Sequence, residues 1–255
     1  LSRFTPERFG FTDAEFNNLK AQCRALRAWF YLRLLDAFRN VPLVTTYSDK
    51  PSTPQVEPEK VFKFIEEELI DCTKLLVKKE ALGTNAQLQG QWTQAAAASL
   101  LVRLYLNAEV YIGEDHYSDC AKVAEDILAG VYGAYQLADR WDAAFDWDND
   151  KCDEVIFGFP GAKGYSHWHY DGDTYAWTVP AKAAVFFDDN KSGVGHNTKY
   201  AASPSYDLDG NLYEYELGMP VQNFRKHPGD YRMTCYRNLG NSRREGLFLY
   251  GYCEY

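Results

Sequence analysis

A repeated spacing of apolar residues constrains this 255-residue chain more than any other feature. In the first half, apolar residues recur every three or four positions, which places them on one face of an α-helix. The first set predicts a helix of about 13–38, with Thr12-Asp13 and Glu15 as its N-cap region and Asn40-Val41-Pro42 ending it. Its apolar positions are Ala21, Ala25, Ala28, Leu32 and Leu35.

The same spacing predicts three further helices. The second is entered through Glu57-Pro58-Glu59, the third covers about 92–112, and the fourth covers about 117–131. A Gly113-Glu114-Asp115 turn makes the last two antiparallel neighbours, and a Y-x-x-x-A-x-x-A pattern from Tyr117 is typical of a tetratricopeptide-like hairpin. The three apolar stripes are Phe62, Ile65, Leu69, Cys72 and Leu76; Ala97, Leu101, Leu104, Ala108 and Tyr111; and Tyr117, Cys120, Ala124, Ile127 and Val131.

The second half has a different character. Asp153 to Phe159 reads as a short strand, and long loops rich in Gly, Asn, Asp, Tyr and Ser follow it. Loops of that length are usually functional in a compact domain. The predicted fold class is therefore mostly α, with a tetratricopeptide-like scaffold at 1–135 that carries a loop-rich part with a few short strands at 136–255.

Composition excludes several functions. A net charge of −9 and a pI near 5.1 argue against a nucleic-acid partner, and no run approaches the roughly 18–20 apolar residues of a membrane span. The six cysteines include no C-x-x-C pair, which argues against a structural metal site, and their disulfide state stays open. Cys23, Cys72 and Cys120 fall on predicted helices and are expected to be small buried apolar residues.

Aromatic residues make up 16% of the chain, and five of them fall in the stretch KGYSHWHYDGDTYAW, residues 163–177. The apolar face of a sugar ring can stack on Trp or Tyr while neighbouring polar groups bind its hydroxyls. This pattern favours a stacking surface with a polar fringe, in which Trp168 and Tyr170 are the first residues to test. The predicted ligand-binding residues are Tyr165, His167, Trp168, Tyr170, Asp171, Tyr175 and Trp177.

Other interpretations of the same loops are open. Asp171, Asp173 and Glu214 could form the carboxylate pair of a glycoside hydrolase, but no spacing in the sequence identifies such a pair. His167 and His169 would share one face of an extended segment, yet no further metal ligand is evident. Asp207, Asp209 and Asn211 begin like a calcium loop, but Leu212 stands where an EF-hand needs Gly and Gly218 where it needs Glu. We expect no catalytic residues and no cofactor, with Ca²⁺ as the one ion to consider.

Several motifs appear in the order found in one protein family. Arg24 to Leu32 resembles that family's A-R-x-L-R-A-x-x-Y helix, and Arg39 to Val44 is similar to its F-G-D-V-P-L-V segment, with Arg-Asn in place of Gly-Asp. Ala96 to Tyr111, Glu154 to Phe157 and Gly229 to Arg232 resemble three later motifs. On these residues the chain resembles the SusD/RagB family of outer-membrane nutrient-binding lipoproteins of Gram-negative bacteria.

The resemblance implies a non-enzymatic, surface-exposed binding protein. Such a protein would capture oligosaccharides and pass them to a SusC-type TonB-dependent transporter, and residues 136–255 would carry the ligand site of one SusD-like domain. Family members are roughly twice this length, so we expect the chain to be a piece lacking the N-terminal lipid anchor and a C-terminal part. The alternatives are a peptide-capturing lid of the RagB type, a glycoside hydrolase, or a structural helical-repeat adaptor.

Overall fold

A computed structural model describes residues 4–46, 53–83, 90–140, 143–145, 149, 152–159, 227, 229, 236–238 and 247–249. The chain divides into two compact units. The first comprises Leu1–Leu137 and Asp153–Pro160, and the second comprises Ala138–Cys152 and Gly161–Tyr255.

The first long helix, α1, spans Asp13–Phe38 as the spacing predicts. A capping box begins it, because the Thr12 hydroxyl accepts from the Glu15 backbone N–H at 3.3 Å and the Glu15 carboxylate accepts from the Thr12 N–H at 2.8 Å. At the other end the Arg39 N–H donates to the Leu35 carbonyl at 3.1 Å, and Arg39 itself leaves the helical conformation. The predicted bounds of this helix are confirmed.

Four more helices follow α1. They are α2 (Pro58–Leu75), α3 (Gln94–Leu106), α4 (Ala108–Ile112) and α5 (Tyr117–Leu128). The prediction of one helix over about 92–112 is wrong, since Asn107 interrupts it and the Asn107 side-chain amide donates to the Arg103 carbonyl at 2.8 Å. The last helix also ends earlier than predicted, at Leu128.

The helices of the first unit pack in a row, with α1 against α2, α2 against α3, and α3 against α5. Every residue of the first three predicted apolar stripes is buried, so those stripes form the core. The fourth stripe is only partly buried, because in the described structure α5 packs mainly against α3 at one end of the row. Tyr117 and Val131 are exposed there, and Cys120 is buried.

Two short antiparallel strand pairs complete the described structure. In the first unit, β1 (Val41–Pro42) pairs with β2 (Gln55–Val56), and Val41 lies opposite Val56. In the second unit, β3 (Tyr236–Asn238) pairs with β4 (Leu247–Leu249). Together with the helices, these strands confirm a mostly α fold with a few short strands.

Residues 153–159 are a turn followed by irregular chain, so the prediction of a strand there is wrong. Aromatic side chains hold this segment in place of strand pairing. The Phe157 ring stacks on Trp92 at a centroid distance of 4.1 Å, and Phe159 meets Trp29 edge-on at 5.3 Å.

Candidate functional site

The predicted ligand-binding stretch, residues 163–177, lies outside the described residues, as do the calcium candidates Asp207, Asp209 and Asn211 and the carboxylate Glu214. The described structure therefore bears mainly on the helices of the first unit. Three features of that unit stand out, namely an ion-pair cluster between α1 and α2, a row of aromatic rings, and two surface grooves.

The ion-pair cluster is centred on Glu68, whose exposed fraction is 7% although it is a carboxylate. Arg24 Nε donates to Glu68 Oε1 at 2.9 Å, and Arg27 Nε donates to Glu68 Oε2 at 3.2 Å. Arg24 Nη2 also reaches Asp71 Oδ2 at 2.8 Å. Burial opposes the charge on Arg24, but the hydrogen bonds to Asp71 and Glu68 raise its pKa overall. The cluster fastens α1 to α2 through charges that are all paired.

Arg27 and Tyr31 also fasten the chain that leaves α1. The Arg27 guanidinium donates to the Thr45 carbonyl at 3.1 Å, and the Tyr31 hydroxyl accepts from the Val44 N–H at 2.7 Å. Arg24, Arg27 and Tyr31 are three of the positions that carry the resemblance in this helix. Their contacts show that this motif holds the scaffold together.

Sequence reasoning missed Glu68 as a member of this cluster. A signal was present, since Glu68 lies three residues after Ile65 and one before Leu69, within the apolar stripe of α2. An acid on a buried helix face needs a charged partner, and α1 supplies two arginines.

A row of aromatic rings crosses the first unit. Its neighbouring centroids are 4.1–5.3 Å apart, and it includes both buried and exposed rings. Trp92 is 5% exposed at one end, whereas Phe30 is 54% exposed at the other. The order along the row is Trp92, Phe157, Phe159, Trp29 and Phe30.

Gln22 fixes the buried end of that row. Its side-chain amide donates to the Trp92 carbonyl at 2.7 Å and accepts from the Trp92 N–H at 2.7 Å. Beside it lies a shallow groove of about 260 Å³ lined by Gln22, Cys23, Leu26, Gly90, Trp92, Phe157 and Phe159. Cys23 is exposed there, so the prediction that it is buried is wrong, while Cys72 and Cys120 are buried as predicted. Cys23 faces this groove because it is off the stripe that starts at Ala21.

The exposed face of α1 is also apolar. Leu26, Phe30, Leu34 and Phe38 recur every four residues, and each is exposed by 37–67%. A second groove, of about 570 Å³, lies at the end of this face and is lined by Leu34, Phe38, Asn40, Val41, Pro42 and Gln55. Helix α1 thus carries two apolar faces, one in the core and one on the surface of the described structure.

Metal chemistry has no visible basis in the described ranges. They contain no group of three or more His, Cys, Asp and Glu side chains that could hold a metal ion. Burial raises the pKa of the Cys72 thiol to about 12, which keeps it protonated and unreactive. None of the helices in this part of the chain is both long and apolar enough to cross a membrane.

Comparison with known proteins extends beyond the described residues. No protein-family model matches the sequence. The starch-binding protein SusD of Bacteroides thetaiotaomicron is 26% identical over 270 residues, which cover 95% of this chain and 47% of that protein. The chain thus spans about half the length of this curated relative.

Solved structures share the fold. A laminarin-binding SusD-like protein matches with a TM-score of 0.65 at 19% identity, over 96% of this chain and 53% of its own. The surface glycan-binding protein A from Bacteroides uniformis matches with a TM-score of 0.66 at 17% identity, over 96% of this chain and 49% of its own. At these identities the structural matches establish the fold alone.

The fold is thus that of a SusD-like protein, and its described part is a row of helices. The sequence likeness to SusD runs over nearly the whole chain in the same region as the fold likeness. The chain is therefore similar to SusD/RagB family proteins in both sequence and fold.

Proposed function

We propose that this chain is part of a cell-surface binding protein that captures oligosaccharides and passes them to a SusC-type TonB-dependent transporter. One observation carries the proposal: the sequence of a starch-binding relative matches 95% of the chain, so most of residues 136–255 are included. The protein would be an outer-membrane lipoprotein without catalytic activity, anchored through an N-terminal lipid.

Within that protein, residues 1–135 would be the tetratricopeptide-like scaffold and residues 136–255 the ligand-binding part of the same domain. Trp168 and Tyr170 would stack on sugar rings, and His167 and Asp171 would bind hydroxyl groups. Tyr165, Tyr175 and Trp177 would extend the stacking surface. No cofactor would be needed, although the Asp207, Asp209 and Asn211 oxygens could take Ca²⁺.

Pairing of side chains inside the helical unit fits this division of labour. Charges and rings of the helical unit, such as Arg24, Glu68 and Trp92, are already engaged with one another. A scaffold whose polar groups are paired internally leaves ligand contact to the loops it carries.

Affinity electrophoresis against a panel of neutral polysaccharides, including starch and laminarin, tests the proposal. Wild type should be retarded by at least one glycan, and Trp168→Ala and Tyr170→Ala should each weaken binding by at least about tenfold. Tyr117→Ala is the matched control, because Tyr117 is an exposed aromatic residue of the helical unit and its loss should leave binding unchanged.

Three outcomes would contradict the proposal in different ways. Glycan binding that survives both loop substitutions would reject the assigned site while leaving the function intact. Binding to a peptide library and to no glycan would favour a peptide-capturing lid. Release of new reducing ends from a bound glycan by the pure protein would reject the absence of catalysis.

A further inference from the structure

Arg39 has a backbone conformation that L-amino acids rarely adopt. Its φ is 62° and its ψ is −80°, and among the described residues it is the only one other than glycine with a positive φ. These angles lie near those of a γ-turn with positive φ, which is rare and strained. In the resembling family motif the same position is a glycine, which would adopt these angles without a Cβ clash.

The Arg39 side chain makes contacts that a glycine could not. Its Nη1 donates to the Val110 carbonyl in α4, and the guanidinium carbon lies 5.1 Å from the centroid of the Tyr111 ring. Tyr111 is buried, and its hydroxyl donates to Asp36 Oδ1 at 3.1 Å. Arg103 Nη2 approaches the other Asp36 oxygen at 3.5 Å. Asp36 in the last turn of α1 is therefore joined to both α3 and α4, and Arg39 itself is joined to α4.

The strained residue also determines where the chain goes next. After Asn40, Val41 and Pro42 form β1, which pairs with β2. Its neighbours Phe38 and Asn40 line the 570 Å³ groove together with both β1 residues. A change in the Arg39 dihedral angles would move β1 and one wall of that groove relative to α1.

We propose that Arg39 is a latch that couples α4 to β1 and to the groove wall. Contacts with Val110 and Tyr111 offset the strain of the turn, so the turn keeps its shape only while α4 is in place. A glycine would give the same turn without the coupling. This inference does not depend on the identity of the ligand.

Hydrogen–deuterium exchange of the intact protein tests the latch, with Arg39→Ala and Arg39→Gly compared with wild type. Arg39→Ala keeps the strain and loses the contacts, so exchange in residues 40–44 and 55–57 should rise by about tenfold. Arg39→Gly loses the contacts and the strain together, so exchange there should stay within about threefold of wild type. Exchange in 108–112 should rise in both variants, because both lose the bond to Val110.

Tyr111→Phe is the control that keeps the ring under Arg39 and removes only the bond to Asp36. Its exchange in residues 40–44 should match that of wild type. Two results would overturn the latch: residues 40–44 exchanging in Arg39→Ala as they do in wild type, or exchanging faster in Arg39→Gly than in Arg39→Ala. If Arg39→Ala fails to fold while Arg39→Gly folds, the strain is shown directly; if both fail, the turn is an ordinary packing position and the proposal is wrong.

Discussion

Arg24 Nε lies 2.9 Å from Glu68 Oε1, and this contact joins the first two long helices at a buried carboxylate. The second Glu68 oxygen accepts from Arg27, so both carboxylate oxygens are occupied. A buried carboxylate loses its hydration on folding, and only such complete pairing makes its burial tolerable. Both arginines belong to the helix that carries the family resemblance, which gives that motif a physical role in assembly of the helices.

We expect Glu68→Gln to destabilise the protein by about 2 kcal/mol, because two partly buried guanidinium groups would then face a neutral amide. Asp71→Asn is the matched control, since Asp71 is half exposed and bonds to one of the same arginines. An exposed ion pair contributes little, so that variant should lose no more than about 0.5 kcal/mol. Urea denaturation followed by circular dichroism measures both. Equal losses in the two variants would contradict a central role for Glu68.

Phe157 and Phe159 provide a second prediction about the scaffold. Phe157 is half-buried and stacks on the buried Trp92, so Phe157→Ala should cost about 2 kcal/mol and change Trp fluorescence. Phe159 is 63% exposed, so Phe159→Ala should cost less than about 1 kcal/mol. Denaturation midpoints of the two variants check this order. A larger loss for Phe159→Ala would mean that its ring is covered in the intact protein.

The helices could be predicted from sequence wherever local chemistry and periodicity agree. Thr12 and Glu15 mark the start of α1. Pro42 disfavours helical conformation in the residue before it, so the helix must end before that point, and both bounds were predictable. The break at Asn107 was not, because the apolar spacing continues across it from Leu104 to Ala108. The spacing of apolar residues predicts which face of a helix is buried. It does not predict a single non-helical residue that divides one helix into two.

Features that depend on tertiary partners could not be predicted in the same way. The segment that ends at Phe159 reads as a strand because β-branched and aromatic residues suit strands, yet its rings find Trp92 and Trp29 instead of a neighbouring strand. The dihedral angles of Arg39 likewise depend on contacts with α4, and the sequence shows only an arginine in a position that favours glycine. The proposed ligand residues from Tyr165 to Trp177 remain predictions, since they lie outside the described residues.

Titration of the partly buried Tyr105 should make the free energy of unfolding depend on pH in the alkaline range. Burial raises its pKa above the ordinary value, and donation of its hydroxyl to Glu66 Oε1 at 2.9 Å raises the pKa further. Because the pKa of Tyr105 is higher in the folded state, the protonated hydroxyl favours the folded state. This contribution to the free energy of unfolding is fully present below the unfolded pKa of about 10 and is lost as the pH rises toward the folded pKa. The free energy of unfolding should therefore fall as the pH rises above about 10.

Tyr105→Phe removes this titration, so its unfolding free energy should fall less steeply with pH than that of wild type. The difference between the two slopes should be at most about 1.4 kcal/mol per pH unit, the limit for one titrating group. Glu66→Gln removes only the carboxylate acceptor and leaves the burial, which is the larger cause, so its slope should lie between the other two. Urea denaturation at a series of pH values gives all three slopes. Because the slope compares each protein with itself, a general loss of stability in a variant leaves the test valid. Identical slopes for wild type and Tyr105→Phe would show that Tyr105 titrates alike in the folded and unfolded states, contrary to its position between α2 and α3.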